Sequence, residues 1–272
     1  MSTASPRIEP AGAADAGFSA TEIERYSRER EAHNKYFSEG TRKALDKYYA
    51  TTRQTQAAYE RVLVSRCRNG AALEYGCGTG SHSVFLARNG ASRVVGIDLS
   101  DVAIAKARES ARAAGVPHAE YFRMNAETLD FADSSFDLIC GTAILHHLDL
   151  HRAFGELARV LRPGGTAAFL EPLGHNPAIN LYRRLTPTLR TVDEHPLHMS
   201  DLELAQSYFS SLKPEYFGLQ SLMATPFKGL RCFGVVLGAL QAADAALFRV
   251  APFMRRYAWQ VVLVLEKPIK MQ

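Results

Sequence analysis

"ALEYGCGTGSHSVFLARNG", residues 72–90, decides the fold. An apolar run ends on Glu74, glycines follow at 76, 78 and 80, and an amphipathic segment begins at once. Glycine lacks Cβ, so it takes positive φ at little cost and lets another group approach the backbone closely. A glycine turn between strand and helix also aims the unpaired N–H groups of the helix N-terminus at whatever packs there. By itself the pattern fits an ordinary tight turn equally well.

Asp98 narrows the choice. It stands eighteen residues past Gly80, at the end of a second apolar run, "RVVGID". There its carboxylate can accept both hydrogen bonds of a ribose diol, as the acid of a dinucleotide site does about 20 residues on. Further strands are expected at Ala119–Asn125, Phe136–Thr142 and Gly165–Pro172, after Ala71–Tyr75 and Arg93–Asp98. Helices fall between most of them. Ser100 is placed to cap one that Gly115 ends, and another runs from His151 to Leu161. Strands alternating with helices imply a doubly wound α/β fold on a parallel sheet.

The flanks read differently. Residues 1–18 have the composition of a disordered tail without a secretion signal. Residues 19–69 form a polar helical segment, opened by Ser19 and Glu22 in the form of a capping box. Residues 70–172 are the alternating core. Residues 173–272 carry a Pro- and Arg-containing insert (173–199), a helix near 201–210, a strand within 214–226, a helical insert (228–255) and a last strand, "AWQVVLVLEK".

The chain has 272 residues and 47% hydrophobic content, enough for a sizeable core. Its net charge of +4 comes from scattered Lys and Arg, which gives no argument for nucleic acid. Four cysteines (Cys67, Cys77, Cys140, Cys232) form no CxxC pair, so a reduced, cytoplasmic setting is expected. No apolar run is expected to span a bilayer. Residues 232–254 read as an amphipathic cap, without stable membrane insertion. No His/Cys/Asp set shows metal-ligand spacing, so no metal is assigned.

The ligand follows from spacing. A dinucleotide needs GxGxxG, with its last glycine one position beyond Gly80, and a triphosphate loop needs a Lys that "GSHS" does not supply. A nucleoside with an amino-acid tail remains. Glu74 could organise the loop and the tail's ammonium, and capping nearby N–H groups is compatible with that role.

"LEYGCGTG", "VVGIDLS", "RMNAETLDF", "SFDLICGTAILHHL" and "LARVLRPGGTAAFLEP" resemble, in order, the motifs of class I S-adenosylmethionine-dependent methyltransferases. The resemblance implies a Rossmann-like, seven-stranded, mostly parallel sheet with the last strand antiparallel, a helical N-terminal lid and late helical caps. It implies S-adenosylmethionine as cofactor. Carried onto this chain, the cofactor set is Glu74, Gly76, Cys77, Gly78, Gly80, Asp98, Leu99, Asn125, Ala126, Gly141 and Thr142. Gly76 and Gly78 would face the methionine part, Leu99 the adenine, and Gly141 and Thr142 the methionine arm. Asn125 stands where Asp is commoner, and its carbonyl oxygen can still accept from the adenine amino group.

Methyl transfer needs a positioned nucleophile and, for a hydroxyl, a base. Candidates should end the fourth and fifth strands, which places His146, His147 and Glu171. One histidine could instead pack the next helix, and Glu171 could hold a loop. The chain lacks the Asn/Asp-Pro-Pro-Tyr motif of amino-group methylases of DNA bases. Substrate contacts are expected from His33 and Tyr49 of the N-terminal segment, which also carries Glu31, Asn34, Tyr36, Phe37 and Tyr48. From the insert they are expected at Arg183, Arg184 and His195, beside His175 and Arg190. An anion clamp and a solvated helix face both fit those arginines. The expected substrate is a small amphiphilic molecule with an anionic or hydroxyl-bearing end, of the polyketide, terpenoid or prenyl diphosphate kind. The expected activity is O- or C-methylation of it. The competing readings are a cofactor-binding protein without catalysis, acting through a partner surface, and an NAD-dependent oxidoreductase.

Overall fold

The computed structural model describes residues 19–39, 50–186 and 194–270. The tail expected at 1–18, and Tyr48, Tyr49 and Arg190, lie outside the described residues.

Seven strands form one sheet: β1 (Ala71–Tyr75), β2 (Arg93–Asp98), β3 (Ala119–Arg123), β4 (Phe136–Thr142), β5 (Leu161–Pro172), β6 (Phe209–Phe217) and β7 (Gln260–Pro268). Their order is β3-β2-β1-β4-β5-β7-β6. Leu73 pairs with Val95 on one side and Ile139 on the other, both parallel. β7 runs antiparallel to β5 and to β6, between them. The seven strands and the antiparallel last one are as expected. Strand order reverses between β1 and β4, and in open α/β sheets ligands sit outside the carboxyl ends of strands at such a switch point.

Side chains alternate across a strand, so each strand serves two cores. Leu73, Tyr75, Val95, Ile97, Ile139 and Phe169 pack on one face, with Phe154 and Leu157 of helix α5 (Leu150–Val160). Ala72, Val94, Leu138, Cys140 and Leu170 face the other way, toward Tyr59 and Leu63 of α2 (Arg53–Cys67). Burial on both faces explains why these strands read as continuous apolar runs.

Helices α3 (Ser81–Arg88) and α4 (Asp101–Ala113) follow β1 and β2. Ser100 Oγ accepts the Ala103 N–H at 3.0 Å, the cap read from the sequence. Helix α1 (Ala20–Glu39) opens with the expected box: Glu22 Oε2 takes the Ser19 N–H at 2.7 Å.

Two expectations need correction. β6 begins at Phe209, inside the helix expected near 201–210; α7 (Met199–Ala205) stops earlier. The strand expected within 214–226 therefore lies earlier, with Gln220–Phe227 a 3-10 turn, and Pro214 sits inside β6 paired with Leu263, because β6 is the sheet edge and its missing N–H faces no partner strand. The second concerns residues 232–254. Among the described residues, one helix, α8 (Phe233–Val250), is long and apolar enough to cross a membrane, contrary to the expectation that no run would be. One face packs on the body through Leu237 and Phe248. Buried Asp244 accepts the N–H groups of Leu219, Gln220 and Ser221 at 2.7–3.1 Å. The outer face leaves Val235 and Val250 77% and 79% exposed.

Candidate functional site

The glycine loop is set by its side-chain neighbours. Gly76 has φ +70°, and a Cβ there would lie 2.8 Å from the Ile144 side chain. Gly80 has φ +77° at the start of α3, and a Cβ there would lie 2.9 Å from the Tyr121 hydroxyl. At Gly78 the neighbour is the Phe37 ring of α1, 3.2 Å from where a Cβ would be. Helix α1 therefore crosses directly over the loop.

Two buried carboxylates hold the loop. Glu74 accepts the N–H groups of His82 and Ser83 at 3.2 and 2.6 Å, and the Ser83 hydroxyl as well. It thus caps the first turn of α3, where the N-terminal N–H groups favour an anion. Asp98 Oδ2 accepts the Gly78 N–H at 2.8 Å, and Oδ1 accepts that of Ser100 at 2.8 Å. Burial pushes the Asp98 carboxyl above the usual aspartate range, while the N–H bonds from Ser100 and Gly78 oppose it. Each oxygen keeps a lone pair for a further donor. Cys77 is buried, and burial pushes its thiol well up.

A cavity lies over this end of the sheet. Gly76, Asp98, Leu99, Asn125, Ala126 and His147 line it from the core, and Arg25, Tyr26, Glu29 and His33 line it from α1. Five of the expected cofactor residues thus share one cavity with expected substrate residue His33. Glu74, Cys77, Gly78, Gly80, Gly141 and Thr142 are not on its wall. Tyr59 donates to the Gly141 carbonyl at 3.0 Å from the far face of β4. Asn125 Oδ1 accepts the Glu127 N–H at 2.9 Å, so a strand expected to reach Asn125 ends at Arg123 in an Asx turn.

Helix α1 is tied to the core by charge. Buried Glu127 accepts from Arg25 at 2.7 Å, from the Tyr26 hydroxyl at 2.7 Å and from the Asp149 N–H at 2.9 Å. Nothing in the sequence marked Glu127 except its place two residues after Asn125. Burial first, and then the bond to Glu127, push the Tyr26 phenol up to about 12.

The three acid–base candidates are brought together. His146 Nδ1 lies 2.8 Å from Glu171 Oε2, and both residues are buried. Glu171 Oε1 accepts the N–H groups of Ile144 and Leu145, each at 2.9 Å. Glu171 is therefore a holding group for the 3-10 turn Leu145–His147 and for His146, and its carboxylate does not line the cavity. The His146 and His147 rings are 4.2 Å apart, centre to centre. His146 Nε2 lies 3.9 Å from Glu194 Oε1.

The cationic cluster is not brought in. Arg183 points its guanidinium at the Leu173 carbonyl and Asn180 Oδ1, at 3.3 and 3.2 Å, while Arg184 and His195 are exposed. None of the three lines the cavity. Arg183 and Arg184 fall in the last turn of α6 (Pro177–Leu185), where cations suit the helix's C-terminal carbonyls.

The cradle fits a nucleoside with an amino-acid tail: side chains are absent where the loop meets its neighbours, and the Asp98 carboxylate and the Asn125 loop share one wall.

Comparison with known proteins agrees with this geometry. A family model described as "Methyltransferase domain" matches residues 73–169. The chain is 30% identical over 193 residues to 27-O-demethylrifamycin SV methyltransferase of Amycolatopsis mediterranei (strain S699), covering 65% of this chain and 68% of that protein. It is 36% identical over 124 residues to Methyltransferase GfsG of Streptomyces halstedii, covering 45% and 44%. The match spans about half the length of several curated relatives, 44–51% in three of them. The fold is shared with the geranyl diphosphate C-methyltransferase of Streptomyces coelicolor A3(2), solved with Mg2+, geranyl diphosphate and S-adenosyl-L-homocysteine. That likeness has a TM-score of 0.56 and 15% identity, over 79% of this chain and 78% of that one.

Proposed function

This chain belongs to the class I S-adenosylmethionine-dependent methyltransferases, and on that premise we propose that it methylates a small amphiphilic molecule at oxygen or carbon. The observation carrying the reading is a single cavity lined by Gly76, Asp98 and Asn125 together with His147, whose ring lies 4.2 Å from that of the Glu171-held His146.

Gly76, Asp98, Leu99, Asn125 and Ala126 would hold the cofactor, with Glu74 fixing the loop beneath. When bound, S-adenosylmethionine supplies an electrophilic methyl group. The chain's own part is to place the acceptor and to take its proton. A carboxylate only accepts hydrogen bonds, so the Glu171 contact puts the His146 proton on Nδ1 and leaves Nε2 as the basic nitrogen. His147 lines the cavity with its ring 4.2 Å from that of His146. The lid helix excludes water, which strengthens each of these interactions. The relative named 27-O-demethylrifamycin SV methyltransferase supports an oxygen acceptor.

The test is label transfer. The purified chain, given methyl-tritiated S-adenosylmethionine and a panel of hydroxylated polyketides, terpenoids and quinols, is expected to label at least one of them. Cofactor binding without transfer to any acceptor, including a metabolite extract, would leave the non-catalytic reading standing.

A further inference from the structure

Glu29, His33 and His147 converge where the lid meets the end of β4. One ligand atom from each lies within 4.8 Å of the others. Glu29 and His33 are one helical turn apart on α1 and share a face. Glu29 Oε2 lies 3.5 Å from His33 Nε2 and 3.3 Å from His147 Nδ1. The His33 and His147 rings meet edge to face at 5.4 Å. The side chains are 8%, 29% and 9% exposed for Glu29, His33 and His147.

These separations matter. A charge-assisted N–H···O⁻ bond closes to about 2.7–2.9 Å. Two imidazole nitrogens and a carboxylate oxygen around a tetrahedral zinc, with bonds of about 2.0–2.1 Å, stand about 3.3–3.4 Å apart. The two measured edges fit the second arrangement. Two imidazoles and one carboxylate suit zinc or another late first-row divalent ion, not magnesium or calcium, which favour oxygen. His147 is shared with a second group, His146 and Glu194, but the His146 Nε2 to Glu194 Oε1 separation of 3.9 Å is longer than either edge of the Glu29–His33–His147 set.

The geometry points to a divalent transition-metal site formed by Glu29, His33 and His147, joining the lid helix to the core. All three residues line the cavity that Gly76 and Asp98 also line. Three protein ligands leave a fourth position, and in such sites that position takes water or a substrate oxygen. The ion would therefore hold the lid shut and present its free position to the cavity.

The experiment measures metal binding without turnover, so it stands apart from the methyl-transfer reading. Full-length, chelator-stripped protein is titrated with Zn²⁺ alone by calorimetry, and with Co²⁺ followed by visible absorption. The expected result is one equivalent bound, the intense absorption of four-coordinate Co²⁺, and a Zn²⁺-dependent rise in Tm. Glu29→Gln and His33→Ala should each weaken binding about 100-fold or more, taking the affinity cost of a perturbed metal shell as a lower bound. His175→Ala, in the separate His175–His198 pair, should change nothing. Circular dichroism of each variant establishes that it is folded. Millimolar binding only, or binding that survives both lid substitutions, would overturn the site. A variant that fails to fold is replaced by His33→Gln, for which the same loss is expected.

Discussion

Glu171 Oε2 and His146 Nδ1 sit 2.8 Å apart in the buried layer beneath the cavity, and the other Glu171 oxygen binds two backbone N–H groups of the adjoining turn. One carboxylate therefore fixes both the path of the turn and the tautomer of the ring.

Glu171→Gln separates those two roles. The amide oxygen can still accept the N–H groups of Ile144 and Leu145, while the amide nitrogen, a donor, faces His146 and moves its proton to Nε2. The fold and cofactor affinity should persist, and kcat should fall by roughly 10²–10⁴, the usual worth of a general base. Calorimetry with S-adenosylmethionine beside single-turnover labelling measures both. Unchanged kcat would remove His146 from the chemistry.

Asp98→Asn places an NH₂ against one of two backbone donors, losing about 1.5–3 kcal/mol of charged hydrogen bonding. Cofactor affinity should drop about 10- to 100-fold. The pH dependence has a definite sign. Burial raises the folded-state pKa above the unfolded value, so the associated stability is full below about pH 4 and is lost as pH rises through the raised value. Denaturant melts of wild type and Asp98→Asn should show the wild type losing ground across that interval, with a constant difference above it.

Gly76→Ala and Gly115→Ala isolate crowding from backbone strain. Both glycines have φ near +70°, but a Cβ at 115 meets nothing within 4 Å, whereas one at 76 strikes Ile144. The left-handed conformation alone costs about 1–2 kcal/mol. Thermal melts should show that cost at both positions. Only Gly76→Ala should also weaken cofactor binding, because Ile144 must move toward the cavity.

Arg25→Ala leaves the buried Glu127 carboxylate without its charged partner, at a cost of about 1–3 kcal/mol. Amide exchange in α1 should accelerate while β1 and β4 stay protected. Tyr26 supplies the alkaline counterpart. Its phenol titrates at about 12 in the folded state and about 10 when unfolded, so its contribution is full below pH 10 and is lost between pH 10 and about 12. Tyr26→Phe should flatten part of the wild-type loss in that window.

The core was readable because its signals are local. The glycine loop, Asp98, the Ser100 cap and the Ser19–Glu22 box each declare themselves within a few residues; the loop turns between β1 and α3, Asp98 ends β2, and both caps form. Long-range features did not declare themselves. The bounds of β6 were misplaced, since the expected strand within 214–226 lies at Phe209–Phe217 and only the sheet order shows that no partner needs an N–H at Pro214. Arg183 and Arg184 fitted both an anion clamp and a solvated helix face, because the helix end on which they fall is invisible in a count of charges. Glu29 and His147 lie more than a hundred residues apart, and only the lid's path over β1 and β4 brings them together.

The insert that carries α8 leaves the sheet at Phe217 and returns at Gln260, and those two residues are register partners on adjacent antiparallel strands. Its stem is closed by the Trp259 N–H, within 3.0 Å of the Phe217 and Gly218 carbonyls. A segment that departs and re-enters at one point of a hairpin can lengthen, shrink or be exchanged at a loop-closure cost that grows only with the logarithm of its size. The insert can thus vary in length while the strand pairing that closes its stem stays as it is.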